Sequence, residues 1–345
     1  MVDMENKIQE VKLENYGAID KFQCNHFSNI NLIIGENGTG KTFLLKALYS
    51  AVRSMEEYRR GDDIKTISEV LSEKLQWTFQ VDWLGDMVSK TAENELYFEV
   101  SVGSNKITYQ FSQEVSSKIE AVVIPDAGKT GNSIFIPAKE VLSLFSVILK
   151  SREVDKVFGF DDTYYDLAKA LRIAPKNDKD YSIFLNSRKI VTDVIDGNVD
   201  YDEAVGKWIY KNRKNQKFSI GATSEGIKKI AIMDRLLANG YLDQNSIIFI
   251  DEVESALHPK AVCQFLDVIA FIANTMGVQV FIASHSYFVI KKLFLIALQK
   301  PKTVMCISLN KGKKAQICDL CDGMQENTII DTSIRMYEQE IEEVL

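Results

Sequence analysis

Residues 30–50 read INLIIGENGTGKTFLLKALYS. The apolar run 30–34 predicts a buried strand, and the amphipathic spacing from Lys41 onward predicts a helix to about Glu57. Between them, Gly35-Glu36-Asn37-Gly38-Thr39-Gly40-Lys41-Thr42 fits G-x-x-x-x-G-K-[ST] at every fixed position. The spacing follows from the chemistry of a phosphate cradle. Gly35, Gly38 and Gly40 let the backbone curl so that the N–H groups of the loop, Asn37 and Thr39 included, turn toward an anion. The helix start adds the positive end of its dipole. Lys41 is placed to reach the outer phosphates of a nucleoside triphosphate, and the Thr42 hydroxyl to ligate Mg²⁺. Strand, loop and helix occur in the order this chemistry needs.

A second apolar strand is read at 246–250, ending in Asp251-Glu252. A carboxylate at such a strand tip can hold Mg²⁺ opposite Thr42, which is the role expected of Asp251. Glu252, next to it, is placed to activate an attacking water. A third apolar strand, 278–283, ends at Ser284-His285-Ser286, so His285 is expected to contact the terminal phosphate. Just before the second strand, SIGATSEGIKKI (219–230) opens a helix at Ser224-Glu225-Gly226. A serine hydroxyl and free N–H groups at a helix start form an anion site, which makes Ser224 and Gly226 further candidates.

The rest of the chain supplies context. Residues 7–13 alternate as a half-buried strand, Asn15-Tyr16-Gly17-Ala18-Ile19 turns into a second, and both lie where they would flank the nucleotide. Residues 65–75 read as helix. From 77 to 136 short alternating segments at 77–81, 96–102, 107–111, 118–124 and 133–136, separated by turns such as 103–105 and 126–128, read as an antiparallel meander. A helical region is expected from 137 to about 210. The expected division is thus 1–136, a nucleotide-binding lobe with an antiparallel insertion; 137–218, a helical lobe; and 219–345, the rest of the core. The predicted fold class is α/β, with a mainly parallel core sheet.

Composition excludes several classes. The 345 residues carry a net charge of −7 with a pI near 5.3, which argues against a uniformly basic, DNA-coating protein. A local cluster, KWIYKNRKNQK (207–217), with Lys228 and Lys229 close by, leaves nucleic acid a candidate partner beside a plain solvated face. The five cysteines are scattered and odd in number, consistent with reduced thiols and a cytoplasmic setting. Cys318-x-x-Cys321 has no second pair at zinc spacing and reads as structural. No apolar stretch approaches the ~18 residues of a membrane span, and no membrane partner is expected.

The order of the motifs resembles the ABC-type ATPases. In that resemblance TSEG (Thr223–Gly226) stands where the superfamily commonly has LSGGQ, Ser255-Ala256-Leu257-His258 is the D-loop, and His285 the switch histidine. GENGTGKT, the NYGAI lead-in and the signature variant are similar to the RecF, SMC and OLD-like branch rather than to membrane transporters. The resemblance covers 7–50 and 219–290. It implies ATP and Mg²⁺ as cofactors, hydrolysis to ADP and phosphate, and a homodimer closed by ATP. Its Q-loop glutamine has no clear counterpart; Gln110 and the 137–140 segment are the candidates. SMC members carry long coiled coils between phosphate loop and signature, but here only 181 residues separate Thr42 from Ser224, without heptads. OLD nucleases carry a Toprim domain after the ATPase, for which the sixty residues after His285 are too few. The expectation is an OLD-like ATPase subunit of a bacterial or phage-defence system with a separate effector protein. A RecF-like DNA repair ATPase is the alternative. A phosphate-loop kinase would need an acceptor site, and a static nucleotide-binding module would give Glu252 no role.

Overall fold

A computed structural model describes residues 6–61, 65–123, 129–176, 189, 191–301, 303–323 and 327–344. The chain opens with β1 (Ile8–Tyr16), β2 (Ile19–Cys24) and β3 (Ile30–Ile34), followed by α1 (Lys41–Glu57) and α2 (Ile67–Phe79). Then come β4 (Leu96–Val102), β5 (Asn105–Phe111), β6 (Ala121–Val123) and β7 (Ile134–Ile136). The middle holds α3 (Phe145–Lys150), α4 (Asp162–Arg172), β8 (Gly197–Asp202), β9 (Lys207–Asn212) and β10 (Lys217–Ser219). The last part runs α5 (Glu225–Ala238), β11 (Ile247–Asp251), α6 (Pro259–Met276), β12 (Gln279–Ser284), α7 (Tyr287–Gln299), β13 (Val304–Ser308), β14 (Gln316–Asp319) and α8 (Thr328–Val344).

The core is a six-stranded sheet in the order β14-β13-β3-β12-β11-β7, parallel except for β14. Its central strands are buried on both faces, as a sheet covered on both sides requires. In β11, Ile248 and Ile250 face one core, with α5, α6 and α7, while Ile247 and Phe249 face the other, with α1 and the second sheet. On that second face Phe135, Phe249 and Phe281 stand side by side across three strands, with ring centroids 6.4 and 5.3 Å apart. Tyr49 of α1 meets Phe135 and Phe249 edge-on. This aromatic row fixes the helix that begins at Lys41.

The second sheet is antiparallel, ordered β2-β1-β4-β5-β6, so the two lead-in strands join the meander. The buried Gln279 amide ties it to the core sheet by exchanging hydrogen bonds of 2.9 and 3.0 Å with the Ile8 backbone. Three expectations change. The segment 133–136, expected to end the antiparallel meander, is instead β7 at the edge of the core sheet, parallel to β11. Residues 77–79 continue α2 instead of starting a strand: Thr66 and Glu69 form a capping box, and Leu71, Leu75 and Thr78 are buried at helical spacing. The expected helix to Tyr210 gives way to an antiparallel sheet, β10-β9-β8. There Val199, Trp208 and Tyr210 alternate inward with period two, which the helical reading overlooked. The expected turn at 126–128 lies outside the described residues.

Candidate functional site

Parallel strands with their connections on both faces leave a crevice at their carboxyl ends. Three groups of the sequence candidates sit there because three adjacent strands end there: β3 runs into the Gly35–Gly40 loop, β12 into His285, and β11 into Asp251 and Glu252. Strand β12 lies between β3 and β11, which opens space between loop and carboxylates.

The loop conformation depends on its glycines. Gly40 caps α1 at φ 93°, where a Cβ would come within 2.5 Å of Ile19 Cγ1. A Cβ on Gly35 would meet the Leu309 carbonyl oxygen and the Thr39 hydroxyl. Thr39 is itself turned inward, its hydroxyl donating to the Glu36 carbonyl at 2.9 Å, while Asn37 and Gly38 are exposed at the loop tip. Lys41 Nζ folds back over the loop and donates to the carbonyls of Gly35 (2.7 Å) and Glu36 (2.8 Å). Desolvation lowers its pKa, opposed by the carboxylates of Asp251, Glu252 and Glu254. These weak carbonyl partners leave the ammonium available for a stronger acceptor in the same loop, such as a phosphate oxygen.

Across the crevice, the Thr42 hydroxyl donates to Asp251, with both carboxylate oxygens within 3.1 Å. Burial pushes the Asp251 carboxyl up to about 6, an effect moderated by the Thr42 hydrogen bond and reinforced by Glu252. A hydroxyl and a buried carboxylate in contact are the hard oxygen donors that Mg²⁺ takes, so the residues present fit that ion. Glu252 is half-exposed, in a left-handed turn at φ 44°, with its N–H bonded to the Ala283 carbonyl at 3.0 Å. His285 Nδ1 is 3.9 Å from Glu252 and 3.6 Å from Glu254.

Ser224 and Gly226 stand apart from this group. Ser224 is exposed, and its hydroxyl caps its own helix by accepting from the Ile227 N–H. Gly226 lies against Ala261 and Leu257, just past the Ser255–Leu257 turn, with no part of the loop within 4 Å of the position of a Cβ. Further along α5, Lys229 donates to the Glu252 carbonyl at 3.3 Å. Lys228 is buried too, paired with Glu225 at 2.8 Å. Both lysines therefore leave the surface cluster to which the sequence assigned them. Of the Q-loop candidates, Gln110 is in β5 of the antiparallel sheet, whereas 137–140 follows β7, beside β11, at the crevice.

Three features escaped the sequence reading. Glu254 Oε1 accepts from the Ser284 hydroxyl (2.8 Å) and the His285 N–H (3.0 Å), joining the turns after β11 and β12. Lys229 is desolvated, its pKa lowered to about 8 despite the carboxylates of Glu254, Glu225 and Glu252. A cavity of about 430 Å³ opens beside Thr39, lined by Ile19, Lys21, Phe22, Leu309 and Lys313. Its far wall comes from 309–315, where the basic run Lys311-Gly312-Lys313-Lys314 was the available signal.

Known proteins resemble this chain in sequence and in fold. A DNA double-strand break repair Rad50 ATPase from Methanococcus maripaludis is 21% identical over 273 residues, 72% of this chain and 26% of that protein. The chain thus spans about a quarter of that relative's length. An SMC head bound to the C-winged helix domain of ScpA matches with a TM-score of 0.53 at 11% identity, over 92% of this chain and 98% of the other. An SMC head domain with an extended coiled coil, bound to the C-terminal domain of ScpA derived from Pyrococcus furiosus, matches at 0.50 and 12% identity, over 96% and 99%. At such identities the likeness is one of fold, the α/β fold of an SMC head domain. Residues 30–291 match the family AAA_21, described as "AAA domain, putative AbiEii toxin, Type IV TA system", and with well over half its length matched, the chain belongs to that AAA-domain ATPase family.

Proposed function

We propose that this protein binds ATP with Mg²⁺ and hydrolyses it to ADP and phosphate, in a dimer that the nucleotide closes. The observation that carries the reading is the carboxylate pair at the tip of β11: Asp251 on the Thr42 hydroxyl, Glu252 free of it and facing His285. Two adjacent carboxylates are thereby given different tasks. Gly35, Asn37, Gly38, Thr39, Gly40 and Lys41 hold the phosphates, and Thr42 and Asp251 hold the metal, which supplies charge neutralisation at the phosphates when bound. Glu252 accepts a proton from the attacking water, and His285 orients the terminal phosphate. The cavity beside Thr39 takes the base and ribose. Ser224 and Gly226 act on the nucleotide of a second copy, presented by the lobe 137–218 and the start of α5. By its resemblance to the OLD-like ATPases, and by the type IV TA system that the family description names, the protein serves as the ATPase subunit of a bacterial or phage-defence system with a separate effector protein.

Glu252→Gln tests the assignment directly. An amide keeps the shape of the site and cannot take a proton, so nucleotide affinity should stay near wild type while turnover falls by roughly 10²-fold or more. Lys41→Ala should instead lose nucleotide binding. Hydrolysis at the wild-type rate by Glu252→Gln would remove Glu252 from the role of base.

One observation favours a second reading, a RecF-like DNA repair ATPase. Lys214 and Lys217 are exposed on the β9–β10 hairpin beside half-exposed Lys211, whereas Arg213 is held by Asp193 and Asp196 at 2.7 and 2.9 Å. The named Rad50 relative is a DNA repair ATPase. Reversing Lys211, Lys214 and Lys217 to Glu should weaken binding to duplex DNA and flatten its salt dependence by about one unit of slope per lost phosphate contact. An unchanged affinity and slope would return the hairpin to an ordinary solvated surface.

A further inference from the structure

Helix α8 leaves the body after its first turn. The Asn327 side-chain oxygen accepts from the N–H groups of Ile329 and Ile330 at 3.1 Å, and both isoleucines pack against the core. From Ile334 to Glu343 every residue is exposed. Continuing from Ile330, Ile334, Tyr337 and Ile341 recur along that length at steps of four, three and four, the spacing of a seam that pairs with another helix. Ile334 is 50% exposed, Tyr337 63% and Ile341 41%, with Met336 at 65% on the flank. A solvent-facing stripe of this kind stabilises nothing in the isolated chain, and three protruding turns are too short to hold themselves helical on propensity. Helix α7, against which α8 starts, also exposes Phe288, Leu295 and Leu298.

The charges beside the seam select the occupant. Helix α8 carries Asp331, Glu338, Glu340, Glu342 and Glu343 against the single cation Arg335, five minus one, or −4. Asp331 and Glu338 border one side of the seam and Glu340 the other. Two copies of α8 paired antiparallel along this stripe would set carboxylates against one another, and in either orientation two helices of −4 would be brought together, which opposes self-association. A helix with the same apolar spacing and lysines or arginines on its borders would meet them with opposite charge. We propose that α8 is the docking element for a basic amphipathic helix of a partner protein, with Ile334, Tyr337 and Ile341 as the seam and Glu338 and Glu340 as the charge selectors. This stands independently of how the nucleotide site works, and ATP hydrolysis serves as the control for folding.

The test uses the whole chain without nucleotide and two fluorescein-labelled peptides of about 21 residues, three heptads with leucine and isoleucine at the seam. One carries lysine at the bordering positions, the other glutamate. By fluorescence anisotropy the lysine peptide should bind with a Kd of roughly micromolar order and release as salt rises. The glutamate peptide should bind at least about tenfold more weakly. Ile334→Asp with Ile341→Asp should weaken the lysine peptide by about tenfold or more, and Glu338→Lys with Glu340→Lys should transfer the preference to the glutamate peptide. All four positions are exposed, so these variants should hydrolyse ATP as wild type does. Equal affinity for both peptides, no binding of the lysine peptide, or indifference to the Asp substitutions would overturn the proposal. So would a concentration-dependent doubling of mass that Ile334→Asp abolishes, because a second copy would then own the face.

Discussion

Gly40 shows how much of a site can rest on one residue. It closes the phosphate loop and opens α1 at φ 93°, and the space a Cβ would need is taken by Ile19. Alanine there meets two obstacles, a left-handed backbone and a clash with a buried neighbour, together of order 1–3 kcal/mol. The expected outcome for Gly40→Ala is a lower urea midpoint and a larger loss of ATP affinity than the stability loss alone explains, since relief of the clash moves the Lys41 N–H. A stability and affinity equal to wild type would show that the loop adapts. At this scale the sequence was most informative. The residues from Gly35 to Thr42 and the Asp251-Glu252 pair follow a spacing that chemistry imposes locally, and the structure brings them to one crevice. Glu254 and Lys229 were not legible, because their partners, Ser284, His285 and the Glu252 carbonyl, lie 23 to 31 positions away and meet them only after the sheet has formed.

Elements are held to one another by buried charge as well as by apolar packing. Lys74 of α2 sits among Asp162 (2.9 Å), Asp166 (3.0 Å) and Glu57 (3.3 Å), and Tyr49 of α1 donates to Asp166 at 2.6 Å. Thus α1, α2 and α4 share one ionic core, bordering a cavity of about 710 Å³. Burial alone would raise the Asp166 carboxyl, but Lys74 and Arg53 outweigh it and hold it at about 2. A depressed carboxylate stabilises the fold above its unfolded pKa, and that stabilisation disappears as pH falls through the folded value. Asp166→Asn should therefore cost about 3–5 kcal/mol at neutral pH, where it leaves Lys74 undercompensated. The gap to wild type should narrow as the pH is lowered from 4 toward 2. Urea titrations at neutral and acid pH measure both, and a gap that stays constant with pH would exclude Asp166 as the titrating group. None of these pairings was visible in the sequence, where Lys74 and Asp166 are 92 positions apart. The strands around them were: apolar runs predicted β3, β11 and β12, whereas β8 and β9 were hidden because a few inward residues among polar neighbours suit either period.

At the scale of the molecule, the exposed start of α5 is the feature that one copy leaves unused. Ser224 caps only its own helix and Gly226 rests on Leu257 and Ala261, while Lys229 in the same helix holds the carbonyl of Glu252. The helix that would read a neighbour's phosphate is therefore bonded to the turn that carries its own Glu252. A second copy placed head to tail would offer its Ser224 and Gly226 to the nucleotide held by the first copy's Lys41, and the Ser255–Leu257 turn would lie in the same interface. Each copy carries −7, so the free chains repel and the nucleotide must supply the contacts that close the pair. Light scattering of Glu252→Gln with ATP and Mg²⁺ should show twice the monomer mass, favoured by moderate salt that screens the repulsion. Adding Ser224→Arg should return it to a monomer, because the long cation fills the helix start. In an otherwise wild-type chain, Ser224→Arg and Lys41→Ala should each be inactive alone. Mixed together they should regain hydrolysis, since one of the two composite sites then joins an intact Lys41 to an intact Ser224. A mixture that stays inactive, or a Glu252→Gln chain that stays monomeric at saturating ATP, would place the signature residues outside any shared site.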